Sequence, residues 1–390
     1  MREMTSLRAQ QTERSLFYVV AEIASKFKDS IYLSIGEPDF TTPKHIIDAA
    51  KKALDEGYTH YTGDKGALQF RQVIADHLKK TRGVDVSPVD GVEVAVGAAA
   101  ANFAVFQAFV NPGEEVLLPS PYYPPHESVT RLVGGVPKFM RVKEELDFMP
   151  DPREVERLVT KKTKMVLINS PSNPTGGVFD EKCLRALAEI AIKHDLLVLT
   201  DECYEMFAYD GMEPRSIISL PGMFERTILT NSFSKTYAMT GWRIGYAAGN
   251  SKLISEVLKM HYNMLVSAPS ISQRAAIAAL LGPQDCVREM VAEYDRRRKL
   301  IVNGLNKIPG ISCRMPRGAF YAFPNIKRLG MSSVDFAMYL VNEFHVAVTP
   351  GSMFGPDGEG HLRISYATAY EKCEEALARI ERAVEKLKKT

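Results

Sequence analysis

The sequence predicts an α/β fold: a mostly parallel sheet sandwiched by helices, followed by a smaller α+β lobe. Three observations carry this expectation. The middle of the chain repeats a short β-branched strand, a turn and a helix. Helical periodicity fills several of the gaps between strands, and the last third abandons the alternation for a long charged helix and short strands. Alternation of this kind argues for parallel strands covered by helices, because a parallel pair needs a long crossover connection. At 390 residues, 45% hydrophobic and 25% charged, the chain can bury a large core and divide into two lobes.

Taken in order, a helix is expected around Phe17 to Phe27, packing against the smaller lobe. Candidate strands are Val92 to Val96, Glu115 to Leu118, Met165 to Ile168, Leu196 to Thr200, Thr227 to Thr230 and Ile244 to Ala248. The uncharged run Val94 to Val110 is near the lower limit for a membrane span, yet it contains Gly97, Asn102 and Gln107 and changes period at the glycine. A buried strand, a turn and an apolar helix from Ala98 to Phe109 is the better reading. Glu181 to His194 places Leu184, Leu187, Ile190 and Ala191 on one helical face, and Ile254 to Met264 reads as another helix. In the last third come a helix from Cys286 to Asn306, strands around Ala319 to Phe323, Val346 to Val348 and Leu362 to Tyr366, and an amphipathic helix from about Ala369 to Leu387. The expected division is an N-terminal arm and helix over residues 1–35, a large domain over 36–280 and a small domain over 281–390.

Composition narrows the partners. The formal net charge of +2 comes from interspersed signs, so no basic tract suggests nucleic acid and no acidic tail suggests disorder. The cysteines at 183, 203, 286, 313 and 373 show no C-x-x-C and no metal spacing, which fits free thiols in a reducing compartment. No apolar leader precedes the first helix. The expectation is a cytoplasmic protein without a metal or a membrane anchor.

Ligands in parallel sheets bind beyond the carboxyl ends of the strands. After Ile168 comes Asn169-Ser170-Pro171-Ser172-Asn173-Pro174-Thr175-Gly176-Gly177, a dense turn with an amide at its centre. After Thr200 comes Asp201-Glu202-Cys203-Tyr204, and after Thr230 the run Asn231-Ser232-Phe233-Ser234-Lys235, with Arg243 eight residues beyond the lysine. Taken singly, each has a plainer explanation: a surface loop, a helix-capping aspartate, a solvated lysine. Together they suit pyridoxal phosphate. A lysine amine forms a Schiff base, while hydroxyls and a guanidinium hold a phosphate. An aspartate facing a pyridine nitrogen keeps it protonated, and amide and phenol donors tune the ring oxygen.

These segments resemble the fold type I pyridoxal-phosphate enzymes, and within them the class I aminotransferases related to aspartate and aromatic amino-acid aminotransferases. The resemblance covers essentially the whole chain. It rests on Gly36-Glu37-Pro38-Asp39-Phe40, Tyr61, the turn at Gly97, Pro121-Tyr122-Tyr123, Asn173-Pro174-Thr175-Gly176, Asp201-Glu202-Cys203-Tyr204, Ser232-Phe233-Ser234-Lys235, Arg243 and Arg363, in family order. It implies that Lys235 carries the cofactor as a Schiff base and later shuttles a proton, and that Asp201 pairs with the ring nitrogen. Asn173 and Tyr204 would contact the ring hydroxyl oxygen, and Tyr123 would stack on the ring. Ser232, Arg243 and the backbone N–H groups of Ala98 and Ala99 would bind the phosphate. Tyr61 would reach the phosphate of a partner subunit, implying an obligate homodimer with shared active sites. Arg363 would clamp the substrate α-carboxylate, with the Gly36 N–H as a second contact. Asn173-Pro174 and Ser120-Pro121 resemble bonds that are cis in the family.

One departure stands out: the turn reads Gly97-Ala98-Ala99-Ala100-Ala101-Asn102, without the hydroxyl or amide side chain that many relatives place there. Backbone donors survive; a side-chain phosphate contact is lost. The implied activity is ping-pong amino transfer between an L-amino acid (aromatic, aspartate or broad range) and 2-oxoglutarate. Alternatives are a C-S β-lyase and a non-catalytic pyridoxal-phosphate-binding module. Met260 to Gln273 lies near the substrate side chain from the partner subunit in relatives and here contains no Lys or Arg, which leaves His261 as its one candidate for an acidic side chain. Phe17 and Tyr18 suit an apolar or aromatic one.

Overall fold

The structure is a computed structural model that describes residues 4–10 and 16–389. Its largest element is an eight-stranded sheet. In chain order the strands are β1 (Val92–Ala95), β2 (Glu115–Ser120), β3 (Val136–Lys143), β4 (Met149–Pro150), β5 (Thr163–Asn169), β6 (Leu197–Asp201), β7 (Thr227–Ser232) and β8 (Gly245–Gly249). In space they run β1-β8-β7-β6-β5-β2-β3-β4. The central pairs are parallel, as the alternation of strands and helices requires.

The strand β8 departs from that pattern, running antiparallel to both β7 and β1. Its cause is local. The link 233–244 contains only short helical turns, Phe233–Thr236 and Thr240–Trp242, and never crosses the sheet, so the chain returns beside β7 in the opposite sense. This return brings Arg243 back over the strand end that Lys235 has just left.

The central strands are buried on both faces, which is why they read as continuous apolar runs. Val116, Leu118, Met165, Leu167 and Ile228 meet Ala101, Ala104 and Val105 of the helix Gly97–Phe109 and Ile254 and Val257 of the helix Ser251–Leu265. Their neighbours along the strands, Leu117, Val166, Ile168 and Val198, turn to the other face and meet Leu184, Leu187 and Ala191 of the helix Glu181–Lys193. That helix starts where Asp180 accepts a hydrogen bond from the Cys183 N–H at 2.7 Å, a cap that contributes about 1 kcal/mol.

The edge strands β3 and β4 carry no clear sequence signal. In Val136–Lys143 the side chains are mostly half-exposed and the strand contains Pro137, so the apolar pattern is broken where one side of the sheet faces solvent.

The C-terminal lobe has a small antiparallel sheet of β9 (Tyr321–Ala322), β10 (Thr349–Pro350) and β11 (Leu362–Ser365), with β11 in the middle. Helices Asp285–Leu305, Ser333–Phe344 and Tyr370–Lys388 pack around it. The N-terminal helix, Leu16–Ala24, sets Val20 and Ala24 against Val341 and Ala347, and Ile31–Tyr32 pairs in parallel with Val346–Ala347. This helix ends three residues before the expected Phe27, because the chain must turn to reach the Ile31 strand. Among the described residues no helix is long and apolar enough to cross a membrane. The run from Val94 to Val110 is divided between β1 and the helix after it.

Candidate active site

Asp201 is the last residue of β6 and only 4% exposed. Its Oδ2 accepts from Asn102 Nδ2 at 2.8 Å and lies 3.2 Å from His126 Nε2, while Oδ1 accepts a longer bond, 3.3 Å, from the Cys203 N–H. Burial by itself would raise the pKa of this carboxyl, but the bonds from His126 and Asn102 outweigh it and hold the group below the ordinary aspartate value. The next residue, Glu202, goes elsewhere. It binds Arg82 and Ser216, and its burial pushes its carboxyl up, so the two adjacent acids occupy separate environments.

Lys235 follows β7 in the short helix Phe233–Thr236. Its Nζ donates to the carbonyl oxygen of Gly36 at 2.6 Å. Burial, helped by the positive charges of Arg363 and Arg243, pulls the amine from 10.5 down to about 8; Cys203 and Glu37 oppose the shift. Such an amine is available as a neutral nucleophile near physiological pH.

Arg363 on β11 is 6% exposed. Nη1 donates to Asn173 Oδ1 at 3.0 Å and Nη2 to the Ser34 carbonyl at 2.6 Å, and the guanidinium lies 4.7 Å from the centre of the Tyr321 ring and 5.0 Å from that of Phe354. Its Nε is buried with no acceptor at all. A buried cation with an unused donor is a receptor for an anion.

Contacts run from one group to the next. A Cβ at Gly36 would come within 2.5 Å of the Tyr321 hydroxyl, which itself lies 2.7 Å from that of Tyr204. Asn173 bonds Arg363 on one side, and on the other its N–H donates to Asn169 Oδ1, whose amide donates to the Asp201 carbonyl. Lys235, Gly36, Tyr204, Arg363, Asn173 and Asp201 thus belong to one contiguous cluster. Tyr123 joins it edge-on to His126 with ring centres 5.2 Å apart, its phenol pushed up to about 12 by burial and then by the charge of Asp201.

An anion corner adjoins this cluster. Gly97 has φ +77°, and a Cβ there would stand 2.9 Å from Arg243 Nη2. Gly245 is equally constrained, since its Cβ would meet the Ala98 nitrogen at 2.8 Å. Only glycine permits the backbone and the guanidinium to come so close. The helix Gly97–Phe109 starts here, with Ala98 buried and Ala99 exposed. Ser232 is buried beside it, but its hydroxyl donates to Ser234 Oγ at 2.8 Å and accepts from the Ser234 N–H.

Two expectations, Tyr61 and His261, fall outside the cluster. Tyr61 is 83% exposed. The side chain of Phe17 lies outside the described residues. His261 is not free to meet an acidic substrate: it is fully buried, its Nδ1 2.9 Å from Glu93 Oε1 and its Nε2 accepting from the Val96 N–H at 3.4 Å. The α-helical register of residues 251–265 turns it toward Glu93 of β1. Conversely, Asn102, His126 and Tyr321 enter unannounced. His126 stands three residues after Tyr123 and was the most readable of them; Asn102 lies inside an apolar helix with nothing local to mark it.

A model of the family Aminotransferase class I and II matches residues 28–380. The aspartate aminotransferase of Pyrococcus abyssi is 46% identical over 371 residues, 95% of each chain. The aromatic-amino-acid aminotransferase 2 of Thermococcus litoralis is 43% identical over 94% of this chain and 95% of its own. The solved structure of aspartate aminotransferase from Thermus thermophilus with maleate superposes with a TM-score of 0.93 at 36% identity, covering 98% of this chain and all of that one.

Proposed function

The chain belongs to the class I and II aminotransferases, and from that premise we propose that it uses pyridoxal phosphate held by Lys235 to exchange amino groups between an L-amino acid and 2-oxoglutarate. The observation that carries this is the half-buried Lys235 amine, pulled down to about 8 and placed in one cluster with Asp201 and Arg363. The fit to the cofactor is supported by the cradle at Gly97, which a Cβ would fill, by the adjacent Arg243 guanidinium, and by a buried carboxylate whose side-chain partners both meet Oδ2, leaving Oδ1 with only the long bond from the Cys203 N–H.

When bound, pyridoxal phosphate supplies an electron sink that acidifies the substrate Cα–H. The protein's own groups do the rest. Asp201 provides a buried negative charge for a protonated ring nitrogen. Asn173 and Tyr204 serve the ring oxygen, Tyr123 the ring face, and Arg243, Ser232 and the Ala98 and Ala99 N–H groups the phosphate; Ser232 takes that role by rotating its hydroxyl away from Ser234. Arg363 holds the α-carboxylate of either substrate through Nε and the remaining capacity of its fork, beside the Gly36 N–H. Lys235, once released, would carry the proton from Cα to the cofactor side, where amino transfer requires it, and an amine near 8 can both accept and give up that proton.

For the side chain we propose a broad, aromatic-leaning range. With His261 engaged by Glu93, the Met260–Gln273 segment, proposed to approach from the partner subunit, offers no cation, so hydrogen bonds would meet the distal carboxylate of 2-oxoglutarate. We place Phe17 at that side chain. The exposed Tyr61, with Tyr58, Leu68, Tyr262 and Leu265 also exposed, supports a homodimer in which Tyr61 completes the partner's phosphate site. The proposed division into an arm (1–35), a large domain (36–280) and a small domain (281–390) is supported by the pairing of Ile31 with Val346. The free thiols support a cytoplasmic setting.

The test is a spectroscopic titration of the cofactor-loaded protein. An amino donor should bleach the visible cofactor band and a 2-oxo acid should restore it. A band that no member of a panel of aromatic, acidic and small amino acids shifts would rule the proposal out.

A further inference from the structure

Asn102 sits in the second turn of the helix Gly97–Phe109, 5% exposed, on a face otherwise packed with Ala101, Ala104 and Val105. A primary amide in such surroundings is costly unless both its ends are satisfied. Both are. Nδ2 donates to Asp201 Oδ2 at 2.8 Å, and Oδ1 accepts from the hydroxyl of Thr230, a fully buried residue of β7, at 2.7 Å.

The orientation of the amide follows from these partners. Turned over, Asn102 would set its oxygen against the Asp201 carboxylate, two acceptors facing each other in a buried site. Thr230 fixes the productive orientation by donating to Oδ1; the other acceptor within its reach, the Thr200 carbonyl, is 3.5 Å away. His126 adds a second contact to the same carboxylate oxygen. Oδ2 is thereby occupied, and Oδ1 keeps most of its acceptor capacity, with only the long bond from the Cys203 N–H.

We propose that Asn102, locked by Thr230, is a positioning residue for amino transfer: it holds Asp201 by one oxygen and reserves the other for the cofactor. One helix would then do two jobs, its first turn facing the phosphate and its second turn aiming the carboxylate. The inference rests on the reading of Asp201 as the partner of the ring nitrogen.

The experiment uses full-length protein stripped of cofactor and titrated with pyridoxal 5'-phosphate, together with steady-state kinetics on the loaded enzyme. Asn102→Leu, apolar and of similar size, should weaken cofactor binding about tenfold and lower kcat by a similar factor with KM little changed. Thr230→Val should move both in the same direction by a smaller factor, and Thr230→Ser, which keeps the hydroxyl, should recover them. In an Asp201→Asn background, Asn102→Leu should add nothing. Should Asn102→Leu fail to fold, the Thr230→Val and Thr230→Ser pair decides alone. The inference is overturned if these variants stay within twofold of wild type while Asp201→Asn is impaired, or if Asn102→Leu costs as much without the Asp201 carboxylate as with it. If Asp201→Asn itself binds cofactor and turns over normally, the reading of Asp201 fails, and this inference goes with it.

Discussion

At the floor of the site Asp201 is 4% exposed and held by Asn102, His126 and a backbone N–H, whereas at its rim Arg243 is exposed with one bond to the Thr240 carbonyl, and Tyr61, outside the cluster, is 83% exposed. The floor lies between strands buried on both faces, where every polar group must find a partner during folding, so its charge is placed before any ligand arrives. The rim consists of loops beyond the strand ends, where groups stay exposed. On the proposed reading, electrostatic work on the ring belongs to the first region, and retention of the phosphate to the second.

Substitutions can break or sharpen that contrast. The largest effect is expected at the floor: Lys235→Ala should lower turnover by roughly a thousand-fold or more, since nucleophile and proton carrier vanish together, and single-turnover kinetics would reveal it. Residual turnover near wild type would remove Lys235 from its role. Arg363→Lys keeps the charge but loses the fork, and should reduce kcat/KM roughly 10–100-fold for amino and oxo acids alike; a loss confined to one substrate would argue against a common carboxylate clamp.

The third effect concerns stability. An ordinary lysine titrates at 10.5, and in the folded, cofactor-free protein Lys235 titrates at about 8. Between these values the unfolded chain binds the extra proton, so unfolding free energy should rise with pH across that window, and below about 8 the cost of the buried charge is fully present. Denaturant titrations at a series of pH values should show the rise, and Lys235→Ala should flatten it. An unchanged slope in the variant would mean that the amine is not desolvated.

The smallest effect belongs to the rim. Tyr61→Phe should weaken cofactor retention about three- to tenfold, the scale of one neutral hydrogen bond, without altering the visible spectrum. Because the phenol is proposed to act across a dimer, dilution of wild type below the dimer dissociation range should reproduce the defect. If dilution has no such effect, Tyr61 does not serve a partner.

Much of this architecture was legible in the sequence because it depends on local pattern. Apolar runs at Glu115 to Leu118, Met165 to Ile168 and Thr227 to Thr230 mark strands buried on both sides, and the Gly97 break separates a strand from a helix whatever lies around it. The edge strand Val136–Lys143 escaped because its half-exposed pattern carries no strong period. The antiparallel sense of β8 escaped because strand direction depends on the path of the link before it. At the site, Lys235, Asp201, Asn173 and Arg363 stand out as reactive types in turns or at strand ends. His261 was misread because a histidine's neighbours across the fold, here Glu93 and the Val96 N–H, leave no mark beside it in the chain.

By itself the sequence determined the order of strands and helices and the chemical kinds of group at the strand ends, since periodicity and turn chemistry act over a few residues. Only the tertiary structure decided which of those groups meet. Thr230, Asn102 and Asp201 form one line because β6 and β7 are paired in a particular register and the helix Gly97–Phe109 packs across them. A hydrogen bond between residues a hundred positions apart is written in register and packing, which no local pattern encodes.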